Sequence, residues 1–157
     1  MFDFISDDYK KSITLLYEIT DEKIIIGGSV ALRLQNIINR DTSDIDLNMI
    51  YSDWDTYKNI IYKNFKVYPM KTVYNSNLGG NILCYLLTEK NNKINFNLFI
   101  NYVPNMFDVI EYQNKNIRLF KPELIMFAKE QMFESDPELI KHKYDIDKIK
   151  NFLYETK

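Results

Sequence analysis

The sequence predicts an α+β (α/β) fold, a small mixed β-sheet flanked by helices, and three observations carry that expectation. A short β-branched run breaks at two glycines and resumes with helical spacing, the middle of the chain alternates apolar and polar residues in short segments, and the last third is helical in pattern. With 157 residues and 46% hydrophobic side chains, the chain can bury one substantial core and is too short for two full domains. Residues 1–157 are therefore read as a single domain, with no internal repeat or low-complexity linker dividing it.

Taken in order, Asp8 to Ile19 places apolar residues near helical spacing behind a cap at Asp7 or Asp8, which predicts a leading helix. Lys23-Ile24-Ile25-Ile26 is a short strand, Gly27-Gly28 a tight turn, and Ser29 to Ile38 a helix. Asp44-Ile45-Asp46-Leu47-Asn48-Met49-Ile50 alternates as a strand does. Ser52-Asp53-Trp54-Asp55 then opens a helix with an acidic first turn that runs to about Asn64, with Trp54 as a packing residue rather than a platform for a base. Strands follow at Phe65 to Tyr68, Asn81 to Thr88 and Ile94 to Asn101, separated by turn signals at Asn75-Ser76-Asn77 and Asn91-Asn92. The last two strands read as a hairpin, and Gly79-Gly80 as a loop. Lys121-Pro122-Glu123 starts a helix that continues to Phe133, and after the break at Ser135-Asp136-Pro137 the segment from Glu138 to Leu153 supplies one or two more.

Composition excludes several classes of function. Lys and Arg total 20 against 22 Asp and Glu, so no global basic field marks a nucleic-acid binder. The 12 tyrosines are scattered among apolar neighbours rather than interleaved with basic residues, which favours packing over base stacking. A single cysteine, Cys84, in an apolar run cannot form an internal disulfide and fits a reducing cytoplasm. The N-terminus is acidic and lacks a long apolar run, so neither a signal peptide nor a membrane anchor is expected, and no segment approaches the ~20 apolar residues that span a bilayer.

Chemistry concentrates between residues 27 and 46. A Gly pair at a strand-to-helix junction permits positive φ and close approach of a ligand, while Ser29 could cap the helix or bind a phosphate oxygen; an ordinary capped turn has the same residues. On a strand, Asp44 and Asp46 point to the same face, where their mutual repulsion is relieved by a bridging cation. Mg²⁺ suits such a pair, because it is held by one or two carboxylates plus substrate phosphates. The alternative is an acidic strand end that resists edge pairing.

Read together, Gly27-Gly28-Ser29 and Asp44-Ile45-Asp46 resemble the first two motifs of the nucleotidyltransferase superfamily, which has a polymerase-β-like fold. The pattern is most like the small members, including the toxin-like family named for the AbiEii abortive-infection protein, in which an Arg and a Ser or Thr precede the carboxylates as Arg40 and Thr42 do here. The resemblance implies a nucleotidyltransferase-like core over residues 24–101 and a C-terminal helical part over 121–155. It also implies transfer of a nucleoside monophosphate from a nucleoside triphosphate, ATP or GTP, to an acceptor such as tRNA or a protein, with pyrophosphate leaving. Gly27, Gly28, Ser29 and Lys129 would bind the nucleotide, and Asp44 and Asp46 would hold Mg²⁺ or Mn²⁺. Asp145 would orient or deprotonate the acceptor. Lys129 and Asp145 match a Lys and an Asp on the family's C-terminal helices, although a solvated helix face and an i,i+4 charge partner are the plain structural readings. His142, the only histidine, falls in a basic run and is expected at the surface.

One family feature is missing. The third carboxylate belongs on the strand beside the Asp-x-Asp, and the matching position here is Asn97, with Asn95 second. An amide oxygen can ligate a metal but cannot take a proton from an attacking hydroxyl. Two classes of function follow: an active Mg²⁺-dependent nucleotidyltransferase with Asp44, Asp46 and Asn97 at the metal, or a catalytically impaired nucleotide-binding module of regulatory, toxin-antitoxin or defence type. A macromolecular acceptor would dock on Lys141, Lys143, Lys148 and Lys150, the only basic cluster, whose plain reading is a mixed-charge solvated helix.

Overall fold

Two fully buried isoleucines, Ile25 and Ile26, form a strand of minimal length inside the sheet. The computed structural model describes residues 6–40, 45–91, 94–103 and 105–155. In chain order the elements are α1 (Asp7–Ile19), β1 (Ile25–Ile26), α2 (Gly28–Leu34), β2 (Asp46–Ile50), α3 (Tyr51–Asn64), β3 (Phe65–Pro69), β4 (Val73–Asn75), a 3₁₀ turn (Ser76–Leu78), β5 (Gly80–Glu89), β6 (Asn95–Asn101), β7 (Phe107–Tyr112), β8 (Lys115–Phe120), α4 (Pro122–Ser135) and α5 (Ile140–Glu155). The strands lie in the order β3-β5-β6-β2-β1-β8-β7, with β4 paired to β5. The β2–β6 and β1–β8 pairs are parallel and the others antiparallel, so the sheet is mixed, as the sequence predicts.

The period-2 alternation of strands divides this sheet into two unlike faces. Leu47, Met49, Leu98 and Ile100 are buried, and aromatic contacts tie neighbouring strands to the helices α1 and α3. Tyr9 of α1 meets the ring edge of Phe96 at 5.6 Å, and Trp54 of α3 stacks on Tyr85 of β5 at 4.9 Å. Trp54 is thus the packing residue its sequence context suggests, and Cys84 is buried with its thiol pushed up by burial. The alternate residues of β2 and β6, Asp46, Asn48, Asn97, Phe99 and Asn101, border a cavity under α4. That helix packs on α5, α2 and the 3₁₀ turn.

Three differences from the sequence reading have local causes. The helix expected to reach Ile38 stops at Leu34, because Asn36 adopts φ +59° and the Asn36 and Ile37 amides bond back to Arg33 and Leu32 at 3.0 and 2.9 Å. That is a Schellman-type stop with Asn in the position usually held by Gly. The β7–β8 hairpin carries no Gly signal; its two-residue turn uses Gln113 and Asn114 at φ +49° and +65°. Gly79-Gly80 is half loop and half strand, since Gly79 closes the 3₁₀ turn at φ +90° and Gly80 opens β5.

Removing the indole that joins α3 to the sheet should cost about 3–5 kcal/mol, the usual range for Trp→Ala in a core. Urea unfolding of Trp54→Ala checks this; a loss below about 1 kcal/mol would mean that α3 is held by other contacts.

Candidate active site

The glycine pair is required by the protein's own side chains. The Gly27 amide donates to the Asp46 carbonyl at 2.8 Å, extending the β1–β2 pairing one step into the turn. A Cβ on Gly27 would stand 2.2 Å from Asn48 Nδ2, and one on Gly28, which has φ +57°, would stand 2.5 Å from Asp46 Oδ2. A side chain at either position would have to displace Asn48 or Asp46, at Gly28 with backbone strain as well, and the first residues of α2 lie directly against the end of β2. Gly27 is the helix N-cap, so Ser29 sits within the first turn and its hydroxyl is directed to other partners.

Beside Asp46, the parallel register pairs it with Asn97 of β6, and Asn97 Nδ2 donates to Asp46 Oδ1 at 3.2 Å. The sequence assignment of Asn97 as the neighbour of the Asp-x-Asp strand thus matches the register. Asn95, the second choice, accepts from Thr88 Oγ1 at 2.6 Å and is exposed. One step further along, the buried amides of Asn101 and Asn48 bond at 2.8 Å. Asp44 and Thr42 lie outside the described residues.

A second cluster forms around Asp145, which is completely buried on α5. Arg40 Nε donates to Asp145 Oδ1 at 2.9 Å and Arg40 Nη2 to Oδ2 at 2.5 Å, a two-pronged pairing; Lys129 Nζ of α4 lies 2.8 Å from Oδ2. Both cations also reach Ser29 Oγ, Arg40 Nη2 at 2.8 Å and Lys129 Nζ at 3.2 Å, and Ser29 Oγ is 3.4 Å from Asp145 Oδ2. Burial alone would raise the Asp145 carboxyl, but hydrogen bonds from Arg40 and Lys129 outweigh it and hold the group below the usual carboxylate range. Burial pulls Lys129 below its ordinary value against the attraction of Asp145. Lys129 is thus a buried ion-pair member and not part of a solvated helix face.

His142 is buried too, which corrects its expected place at the surface. Residues 142, 145, 146 and 149 form the inward stripe of α5, a helical i, i+3, i+4, i+7 pattern that the alternating charges around it obscure. Its Nδ1 has no hydrogen-bond partner among the described residues, and burial, reinforced by Lys129 and Lys141, lowers its pKa.

These groups share one cavity of about 690 Å³, bordered at one end by Gly28, Ser29, Arg40, Asp46, Asn97 and Lys129. Of the residues the sequence reading assigned to one site, Gly28, Ser29, Asp46, Asn97 and Lys129 border this cavity, Gly27 and Asp145 lie beside it, and Asp44 lies outside the described residues. It did not assign Arg40 a partner, and it missed His142 and the Asn48–Asn101 pair. Among the described residues no cluster of three His, Cys, Asp or Glu forms. The oxygen donors of Asp46 and Asn97, side by side at the cavity border, fit a hard cation that shares its coordination with a phosphate.

No protein-family model matches the chain, and no curated protein matches it in sequence. Solved structures do resemble it. A protein assigned as a nucleotidyltransferase from Thermotoga maritima is 14% identical with a TM-score of 0.56, over 86% of this chain and 92% of that one. The lincosamide antibiotic adenylyltransferase LnuA, solved with lincomycin bound, is 12% identical with a TM-score of 0.56, over 93% and 97% of the two chains. At these identities the likeness shows a shared fold, and the mixed sheet with flanking helices is a nucleotidyltransferase fold.

Replacing Asp145 by Asn should destabilise the chain by about 3–5 kcal/mol, because it removes the counter-charge of the buried Lys129 and the two-pronged acceptor of Arg40. The lowered carboxyl fixes the pH dependence. Its contribution is complete above the unfolded value of ~3.9 and is lost as pH falls through the lower folded value. The stability difference between wild type and Asp145→Asn, followed by urea unfolding, should stay flat from neutral pH down to about pH 4 and shrink below it.

Proposed function

We propose that the protein transfers a nucleoside monophosphate from ATP or GTP to an acceptor hydroxyl, with pyrophosphate as the leaving group. The observation that carries this reading is the meeting, in one cavity, of the Asp46 strand end with Ser29, Arg40 and Lys129. Asp145 holds Arg40 and Lys129 beside the glycine turn, where their N–H groups can engage an anionic triphosphate. The nucleotidyltransferase fold supports it.

In this mechanism Ser29, Arg40 and Lys129 bind the phosphates and offset charge that develops on them as the acceptor oxygen attacks. Asp145 has a different part from the one the sequence suggests. With both oxygens engaged by cations and its carboxyl held low, it is a poor proton acceptor; it fixes Arg40 and Lys129 against Ser29. That gives a physical reason for the Arg of the Arg40-x-Thr42 lead-in, the feature shared with the toxin-like small members. Asp46 and Asp44, with Asn97 as an amide ligand, would hold Mg²⁺ or Mn²⁺. The bound cation would neutralise phosphate charge and orient the triphosphate.

Asn97 itself favours a second reading, a nucleotide-binding module that has lost turnover and acts in regulation or in a toxin-antitoxin or defence setting. On α5, where a tRNA or protein acceptor would dock, Lys143 pairs with Asp147 at 3.6 Å and Lys148 lies over the Tyr144 ring, which supports the mixed-charge solvated helix. Among the described residues no helix is long and apolar enough to cross a membrane. The buried free Cys84 accords with a reducing cytoplasm.

Incubation with each α-³²P-labelled nucleoside triphosphate and Mg²⁺ or Mn²⁺, with bulk tRNA, protein extract and small-molecule extract offered as acceptors, should give metal-dependent labelling. The Asp44→Asn/Asp46→Asn double variant should abolish it. Equal labelling by the variant would remove these residues from the metal site, and nucleotide binding without transfer would favour the second reading. Asn97→Asp should tighten Mn²⁺ binding in the presence of nucleotide by about tenfold, as an added carboxylate ligand does. Unchanged affinity in calorimetry would place residue 97 outside the metal's reach.

A further inference from the structure

The cavity has two unlike ends. The end at Ser29 and Asp46 is polar and is also bordered by Gly28, Arg40, Asn97 and Lys129. The remainder, running between the sheet and α4, is walled by Leu78, Ile82, Phe99, Phe120, Ile125 and Ala128, and although Lys71, Asp136, Lys141 and His142 also border the cavity, most of its exposed lining surface is apolar. At its mouth, Tyr74, Met132 and Leu139 are 64%, 45% and 36% exposed and also border the cavity. Gln131, a polar side chain in this wall, is used within the protein: its Nε2 donates to the Tyr74 carbonyl at 2.6 Å and its Oε1 accepts from Asn75 Nδ2 at 3.0 Å. The apolar wall gains free energy by excluding water against an apolar occupant.

We propose that this recess is the acceptor subsite, and that the acceptor is a small molecule with an apolar body carrying a hydroxyl, rather than a nucleic acid or a protein. The inference rests on the nucleotidyl-transfer reading of the polar end. The whole cavity, polar end and recess together, has a volume of about 690 Å³, within the ~300–1,000 Å³ of small-molecule sites. The apolar body fills the recess and turns the hydroxyl toward Asp46 and Ser29. The hydroxyl oxygen then forms a bond to the α-phosphorus, the bond from that phosphorus to the bridging oxygen breaks, pyrophosphate leaves, and the hydroxyl proton passes to water.

The probe is 8-anilinonaphthalene-1-sulfonate, which fluoresces in apolar sites, with ATP affinity measured in parallel by calorimetry. Ala128→Phe fills the recess, and Met132→Glu places a charge at its exposed rim with little risk to folding. The full chain should bind the dye saturably with or without ATP. Both variants should weaken dye binding by about tenfold or more while ATP affinity stays within about twofold. Dye and ATP that exclude each other would assign the recess to the nucleobase and overturn the proposal. So would dye affinity unchanged in both variants, or labelling of tRNA that neither variant reduces. Dye binding without any ATP binding would instead sink the nucleotide reading and leave the apolar site standing.

Discussion

The burial of Asp145 between Arg40 and Lys129 is the constraint on which the site depends. It gathers the first turn of α2, the segment after that helix, α4 and α5 at one point, across sequence separations of 105 and 116 residues. A buried ion pair is a weak source of net stability, since desolvation of the charges offsets most of their attraction. Its value here is positional. The carboxylate takes no space in the cavity, yet it determines where two cations stand and aims both at the Ser29 hydroxyl. Without it, Lys129 would be a buried charge with every reason to lose its proton.

On the sheet side the opposite economy holds. Asp46 meets a neutral amide, Asn97, where the family resemblance leads one to expect another acid. The amide donates to the carboxylate, so the folded chain carries no like-charge repulsion across the β2–β6 pair. The same exchange lowers the charge available to a cation. Stability of the empty site and strength of a metal site pull in opposite directions at residue 97.

Much of this was legible in the sequence where a local signal coincided with a global role. The Gly27-Gly28 break, the Asp-x-Asp alternation, Pro122 at a helix start and the β5–β6 hairpin each follow from short-range chemistry, and the register then placed Asn97 beside Asp46. The partners of a long-range ion pair leave no such trace. Nothing within a few residues of Arg40 points to Asp145, and the burial of His142 is hidden because lysines flank the inward stripe of α5. The β7–β8 hairpin was missed for another reason, since Gln113 and Asn114 reach positive φ without the glycine that usually announces such a turn. Asn36 did announce the end of α2, but the apolar Ile37 and Ile38 beyond it are buried and mimic a longer helix.

The order in which this chain is synthesised gives the Asp145 cluster a further meaning. Ser29 and Arg40 emerge early, Lys129 much later, and their shared counter-charge later still, from the last helix. Strand β1 likewise waits for β8, its parallel neighbour through Ile25 and Arg118, before its second edge is covered. A nascent chain can therefore lay down the β5–β6 hairpin and the α1–α3 face of the sheet, but the cluster around Asp145 waits for α5. Until α5 appears, Arg40 and Lys129 lack the carboxylate that sets their positions against Ser29.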